Sequence, residues 1–536
     1  MKSESVDFLL VGSGVAAASI ATRLLEKNPG ASILVLEAGR RVPDRDRRLW
    51  WDYVVTGKLP YEDAYDRVED NVSTGNTAWQ MHQTRMMVFG GTTVHWGAWT
   101  PRMKPEDFHL WTNTGRGGDW LVDYEDLEPY YCDAEDFLGV GGDSSEPWMH
   151  RSRPFPLPPF PYLAADEEFI AAFEAHGIVP GRMPVARFNR CMTTGTCRYC
   201  PVGARYSAQH THQNLERDDA YAEFEVRTGS VVTKILLDGK RRAAGVEYLR
   251  MDSDYSSGKT ERVLAETVIL CAGAIESPKL MMLSTSTDWE NGVGNHHDLV
   301  GRYLVSHSFI GVIGTAVKND RELISEFNFP TLISRSYDTE EYQEGGKLLL
   351  FRDQVLPGVQ GGWAGFMQRN ESREAMDKAA TGPRQTGLSA FFEEKGVWSN
   401  FVKPATDRTN QFGMPLTRVH FDRTEQVMLN MNRRLALLTE IFSSMTDYTQ
   451  SETTLEGAVG YHASGTTRMG ATPEEGVVDG DLRVHGMNNL YICSTSVFPS
   501  VGAVNPTLTL VALAFRLADH LNGDDSAAAP ANGGAR

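Results

Sequence analysis

Apolar and polar positions set out a run of strands and helices before any motif is considered. Val6 to Val11 is a short apolar, partly β-branched run, the pattern of a buried strand. Ala18 to Leu25 places Ile20, Leu24 and Leu25 on one face, as an amphipathic helix does, and Asn28-Pro29-Gly30 supplies the turn that ends it. Ile33 to Leu36 is a second apolar run, with Glu37 at its end. Gly229-Ser230-Val231-Val232 reads as a further sheet strand. Val263 to Cys271 has the apolar density of a buried strand, and Ala272-Gly273-Ala274 opens a helix through Ile275 to Leu283. Thr507 to Leu521 carries Leu510, Leu513, Ala514 and Leu517 on one face. Pro506 fits its first turn, where no backbone N–H is needed. Between these stretches, Pro154 to Pro161 is too rich in proline for a central strand or helix and is expected to be a surface loop or lid. The alternation of strands and helices predicts an α/β fold.

Composition bounds what such a fold can be. At 536 residues and 41% hydrophobic, the chain holds a large core and exceeds one typical domain, so two are expected. The formal net charge of −18 argues against nucleic acid or an anionic membrane as the main partner. No apolar run reaches the roughly 20 residues of a membrane span. The N-terminal apolar run leads straight into a glycine motif and reads as a first strand, not a secretion signal. Cytoplasmic synthesis is the default expectation, with export bound to a signal-bearing partner as the alternative. Six cysteines in a chain of this length do not make a disulfide scaffold. Residues 524–536 are rich in Ala, Gly and Asp and are expected to form a disordered tail.

The first chemistry lies between the first strand and helix. Gly12-Ser13-Gly14-Val15-Ala16-Ala17 is a G-x-G-x-x-A fingerprint. Gly12 permits the tight turn, Gly14 lets backbone approach a pyrophosphate, and Ala17 allows the helix to pack closely on the strand. The helix N-terminus offers free N–H groups and a positive dipole end to phosphates. Glu37 follows about 20 residues on, where a carboxylate can accept from ribose hydroxyls. Phe89-Gly90-Gly91-Thr92-Thr93 is a second glycine turn, suited to laying backbone against a flat ring or a phosphate. Trp96 and Trp99 follow it and are expected to be buried.

Four blocks together resemble the glucose–methanol–choline (GMC) oxidoreductases, over nearly the whole chain from about Asp7 to Leu521. They are the fingerprint through Glu37-Ala38-Gly39, the segment Phe89 to Trp96, the segment Val268 to Pro278, and the segment from His462 through Gly470 to Asn505-Pro506-Thr507. Within the family the chain looks closest to sugar dehydrogenases and pyranose oxidases. The resemblance implies an FAD cofactor, with Gly12, Gly14, Ala17, Glu37, Gly91, Thr92, His95, Val232, Ala272, Ser496, Pro506 and Thr507 contacting it. His95 matches the position where some members attach FAD covalently; a noncovalent hydrogen-bonding histidine is the other reading. His462 and Asn505 match the catalytic pair. An imidazole is suited to take the O–H proton of an alcohol near neutral pH, and an amide can hold its oxygen. One departure is Ser494-Thr495, where many members carry Asp-Ala.

Cys191, Cys197 and Cys200, followed by Pro201-Val202-Gly203-Ala204, crowd into one short stretch. Multi-subunit sugar dehydrogenases of the family carry a three-iron cluster on a similar loop, although the x2 spacing before Cys200 differs from theirs. The readings are a [3Fe–4S] relay, a structural zinc completed by His210 or His212, or unligated thiols. The expected architecture is an α/β FAD-binding Rossmann-like domain (1–105, 205–305 and 455–523) interleaved with an α+β substrate-binding domain (106–204 and 306–454). The second insert holds Trp363, Phe366, Phe391, Phe392, Trp398 and Phe401, none assigned to substrate. The implied activity is oxidation of a sugar, glycoside or polyol CH–OH group, with electrons passing to a non-oxygen acceptor, through a small subunit or a cytochrome. The alternatives are an oxygen-using pyranose-type oxidase, a non-redox FAD-containing lyase and a binding subunit without turnover.

Overall fold

The computed structural model describes residues 4–523, except 63–70, 83, 193, 240, 254, 256, 318–328, 337–347, 356–368, 382, 384, 411–412 and 457–459. The expected tail and two of the insert aromatics, Trp363 and Phe366, lie outside the described residues.

A first sheet is assembled from distant parts of the chain. Its order is Phe224–Thr228, Ile33–Glu37, Ser5–Val11, Gly258–Leu270, Ala243–Met251 and Ser230–Leu237. The strand Leu490–Ile492 joins beside the end of Gly258–Leu270. The long strand has two different halves. Gly258 to Leu264 pairs antiparallel with Ala243–Met251, and its first residues are exposed. Leu264 to Leu270 pairs parallel with Ser5–Val11 and ends fully buried. That change follows the sequence, which passes from Lys-Thr-Glu-Arg to Val-Ile-Leu. The parallel strands therefore end together at Val11, Glu37 and Leu270, the edge at which open α/β sheets bind ligands.

Two helices flank that sheet. Val15–Lys27 buries Ile20, Leu24 and Leu25, and it begins earlier than the periodicity predicts because Val15, Ala16 and Ala17 also pack inward. Thr507–Leu521 packs beside it, and Asp519 binds Arg23 at 2.8 Å and Lys27 at 3.0 Å. The end of the chain thus returns to its beginning. Pro506 stands at the N-cap, one position before the first turn.

The second sheet is antiparallel, in the order Tyr448–Glu456, His307–Ala316, Gln385–Glu393, Leu348–Val355, Leu332–Ser334 and Gly181–Arg182. Helix Glu425–Ser443 covers one face, where Phe392, Leu438, Ile441 and Phe442 share a core with Phe169 and Phe173 of helix Asp166–Ala175. The opposite face carries Phe309, Phe351 and Phe391 beside Trp99 and Met183. Strand periodicity sends neighbouring Phe391 and Phe392 to opposite faces. The remaining insert aromatics do not converge. Trp398 is exposed beneath Arg302, and Phe401 stacks on His420.

Pro154 to Pro161 forms neither helix nor strand, but it is no free lid: Phe155 is buried in the first core, with Arg151 over its ring at 3.6 Å. Trp96 and Trp99 are half-buried; Trp96 donates to the Tyr206 carbonyl at 2.9 Å.

Candidate active site

Two glycine turns face one another at the ends of the parallel strands. Gly12 has φ +99°, and a Cβ there would lie 2.9 Å from the Cys271 carbonyl oxygen, so the turn requires glycine. At Gly14 an added Cβ would meet nothing within 4 Å, because the residue borders open space. Gly14 caps helix Val15–Lys27 without any side-chain cap, which leaves N–H groups of the first turn for a ligand. Ala17 is fully buried against the sheet. The second turn, with Thr92 in the 3-10 segment Gly91–Val94, closes on the first: a Cβ on Gly91 would stand 3.1 Å from Gly14 Cα.

Glu37 binds these turns together. Its carboxylate accepts from Ser13 N–H at 2.9 Å, Ser13 Oγ–H at 2.6 Å and Gly39 N–H at 2.7 Å. Ser13 Oγ in turn accepts the Gly90 N–H at 3.0 Å. Burial pushes the Glu37 carboxyl up from its usual range, against the pull of these donors. Ala272 caps the helix Gly273–Leu283, and Gly273, at φ +71°, also borders open space. Val232 is half-buried on the strand Ser230–Leu237, which follows the Gly229 N–H to Gly39 carbonyl bond of 3.0 Å. This cradle fits a dinucleotide: two turns a side chain would obstruct, a bare helix N-terminus, and an acid at the end of the second strand.

A second cluster lies where the two sheets meet. His462 sits in the 3-10 turn Gly460–His462, and Asn505 lies just ahead of helix Thr507–Leu521. His462 Nε2 is 3.2 Å from Asn505 Nδ2. Asn505 Oδ1 is buried and finds no hydrogen-bond partner among the described residues. His462 Nδ1 is 2.9 Å from His307 Nδ1, and His307 Nε2 is 2.9 Å from the Gly502 carbonyl oxygen. Phe391 packs on both imidazoles, with ring centroids at 5.3 and 5.9 Å. Burial depresses His307 to about 4 and, with His307 beside it, holds His462 well below the usual imidazole range. Both rings are therefore neutral near pH 7.

His95 approaches the same place from the glycine turn, its ring 6.4 Å from Tyr461 and 6.2 Å from Tyr61. Burial, with Arg205 and Arg198 nearby, lowers it to about 3. Ser496 is fully buried, its hydroxyl engaged by Thr467 at 2.5 Å and Ser494 at 2.6 Å. Thr495 Oγ1 donates to the Ala463 carbonyl at 2.6 Å. The Thr495 and Ser496 hydroxyls thus stitch this loop to the one that runs on from His462. Thr507 opens the last helix, half-buried.

The three cysteines are not gathered into a ligand set. Among the described residues no group of three or more His, Cys, Asp or Glu side chains stands close enough to hold a metal ion. Cys197 Sγ accepts from Arg187 at 3.3 Å, and Cys200 Sγ accepts the Ala204 N–H at 3.4 Å. Cys191 packs at the rim of the aromatic cluster. Of the three, Cys200 alone lines the cavity of about 40 Å³ beneath this loop, a volume for water. The zinc alternative fares no better: His210 pairs with Asp44, and His212 Nε2 is 3.1 Å from the Ser13 carbonyl. The buried Arg187 and Arg205 dominate the loop, Arg205 donating to the Cys197 and Val94 carbonyls. The expectation of an iron–sulfur or zinc centre at Cys191, Cys197 and Cys200 is thus not supported.

Sequence reasoning missed Ser13 and His307. Ser13 is an x position of its fingerprint, and His307 is a lone histidine at the start of an apolar strand. Neither has a local signal.

A dinucleotide cradle beside a buried imidazole–carboxamide pair defines a flavoprotein-type oxidoreductase fold. The comparisons agree. The GMC oxidoreductase family profile matches residues 6–309 and 399–514, and the chain belongs to that family. It is 27% identical to the fructose dehydrogenase large subunit of Gluconobacter japonicus, over 97% of this chain and 98% of that one. It is 25% identical to the 2-methyl-1,2-propanediol dehydrogenase of Mycolicibacterium austroafricanum, over 97% and 96%. The fold also matches pyridoxine 4-oxidase from Mesorbium loti, with a TM-score of 0.68 and 19% identity over 97% of this chain and 99% of that one. The protein is an FAD-dependent oxidoreductase acting on CH–OH groups. No helix among the described residues is long and apolar enough to cross a membrane.

Proposed function

We propose that this protein oxidises a CH–OH group of a sugar, glycoside or polyol, with His462 as general base and Asn505 as the oxygen-orienting donor, and passes the electrons to an acceptor other than oxygen. The observation that carries the roles is the 3.2 Å approach of Asn505 Nδ2 to His462 Nε2 from loops 43 residues apart. Bound FAD supplies the hydride acceptor. Gly12, Gly14, Gly91 and Thr92 would hold its pyrophosphate. Glu37, Val232 and Ala272 would hold its nucleotide portion, and His95, Ser496, Pro506 and Thr507 its ring portion. The substrate hydroxyl enters between His462 and Asn505. Its O–H donates to Nε2 in place of the Asn505 amide, and the amide then holds the oxygen. Nε2 takes the hydroxyl proton as the C–H is oriented for transfer. Phe391 and the neighbouring aromatic face keep water from the imidazole.

The division into a cofactor domain (1–105, 205–305, 455–523) and a substrate domain (106–204, 306–454) is part of this reading. The first sheet draws its strands from the former segments and the second from the latter and the border at 455. A partner subunit that leads electrons to the acceptor, such as a cytochrome, is part of the proposal, and the relatives named fructose dehydrogenase large subunit and gluconate 2-dehydrogenase flavoprotein support the partner subunit. Relatives named oxidases, such as the 6'''-hydroxyparomomycin C oxidase of Streptomyces lividus, support direct use of oxygen as the second reading.

Anaerobic mixing of the flavin-loaded protein with a panel of sugars and polyols tests the proposal. Bleaching of the flavin band is expected, with faster recovery on adding a dye or cytochrome c than on adding oxygen. No bleaching across the panel would refute the redox reading in favour of a lyase or binding subunit. Faster recovery with oxygen would make it an oxidase.

A further inference from the structure

The three-member chain Gly502 carbonyl, His307, His462 admits one arrangement of protons. A carbonyl oxygen only accepts, so the 2.9 Å contact puts the hydrogen on His307 Nε2. His307 is fully buried and neutral, so its Nδ1 is bare. The 2.9 Å approach of the two Nδ1 atoms then requires the hydrogen on His462 Nδ1. A neutral His462 so protonated has a bare Nε2, and the group facing that atom is the Asn505 amide nitrogen, a donor. Every link pairs one donor with one acceptor. The reverse tautomer of His462 would set two bare nitrogens against each other at 2.9 Å and an N–H against an NH₂.

We propose that His307 is a positioning residue that locks His462 in its Nδ1–H tautomer and so aims the Nε2 lone pair at the substrate hydroxyl. The proposal rests on His462 being the base. His307 does not carry the proton onward, because its other nitrogen ends on a carbonyl that cannot take one. It accepts from Nδ1–H throughout and steadies the imidazolium that forms when Nε2 is protonated. Its place in the fold suits this task. It is the first residue of strand His307–Ala316 in the second sheet, while His462 and Gly502 belong to loops beside the first. The ring planes cross at 88° with centroids 4.9 Å apart, and Phe391 packs on both. The tautomer of the base is thus set by the other sheet.

The test combines ring-¹⁵N histidine NMR with stopped-flow flavin reduction on the holoprotein. In the wild type the His462 signals should show a protonated Nδ1 and a bare Nε2. His307→Leu should populate the other tautomer and slow flavin reduction by about 10- to 10²-fold, with substrate Kd and flavin content little changed. His307→Asn places a carboxamide oxygen near the lost Nδ1 and should restore most of the rate. A protonated Nε2 on wild-type His462, or a wild-type reduction rate in His307→Leu, would overturn the proposal. His462→Ala separates the two ideas: a wild-type rate there removes the base itself, and the positioning role with it. Loss there beside an unaffected His307→Leu overturns His307 alone.

Discussion

Glu37 allows a sharp experiment, because the geometry gives it a duty that does not need the cofactor. Its buried carboxylate accepts two hydrogen bonds from Ser13 in the first glycine turn and one from Gly39, and Ser13 in turn holds Gly90 of the second turn. Replacing it by glutamine keeps one acceptor oxygen and turns an NH₂ toward a donor. One buried donor is left unmet, at a cost of about 1–3 kcal/mol. Alanine orphans all three, and water entering the vacated space offsets part of a loss that would otherwise reach about 3–9 kcal/mol. A chain this long changes its melting midpoint by about 1 °C per kcal/mol. The apoprotein of Glu37→Gln should therefore melt about 1–3 °C below wild type, and Glu37→Ala several degrees lower. Each 1.4 kcal/mol of loop ordering that the holoprotein must supply weakens FAD about tenfold. Differential scanning calorimetry of the apoproteins and fluorescence titration with FAD read the two effects separately. If Glu37 were only a ribose ligand, FAD would weaken while the apoprotein midpoints stayed at the wild-type value. That result would refute the clamp.

Three further outcomes follow from the same geometry. Gly14→Ala should leave apoprotein stability unchanged but sharply weaken FAD, because its Cβ enters open space, whereas Gly12→Ala should destabilise the apoprotein itself by pressing on the Cys271 carbonyl; calorimetry and flavin content distinguish them. His462→Ala should bind FAD normally and slow its reduction by alcohol by about 10²–10⁴-fold in stopped flow. Because burial and then His307 depress His462, and the base works in its neutral form, kcat/KM should hold its plateau as pH falls through about 6.5 and drop only below it; an inflection at or above that pH would contradict the assignment.

Much of the cradle was legible because its chemistry is local. A strand, two glycines, a small residue and a helix lie within one stretch, and each residue type answers a steric demand made by its neighbours. Glu37 was placed correctly at the strand end, yet its three donors include Ser13, whose own link to Gly90 spans 77 positions. The cysteine stretch shows the opposite failure. Spacing suggested ligands, but Arg187 and Arg205 occupy the loop's polar contacts and the thiols do not converge. Ser494 and Thr495 looked like a missing carboxylate; the fold uses the Thr495 hydroxyl to join two loops and the Ser494 hydroxyl to cap its own turn.

The sequence alone determined the elements of the cofactor cradle and the family, because backbone conformation and residue chemistry act over a few positions, and it singled out His462 and Asn505, which the fold brings within 3.2 Å. Only the tertiary structure decided which way His462 is protonated, what Glu37 holds and where each thiol points. Those outcomes depend on donors and acceptors that the fold gathers from segments far apart in the chain: His307 lies 155 positions from His462, and Ser13 lies 24 from Glu37.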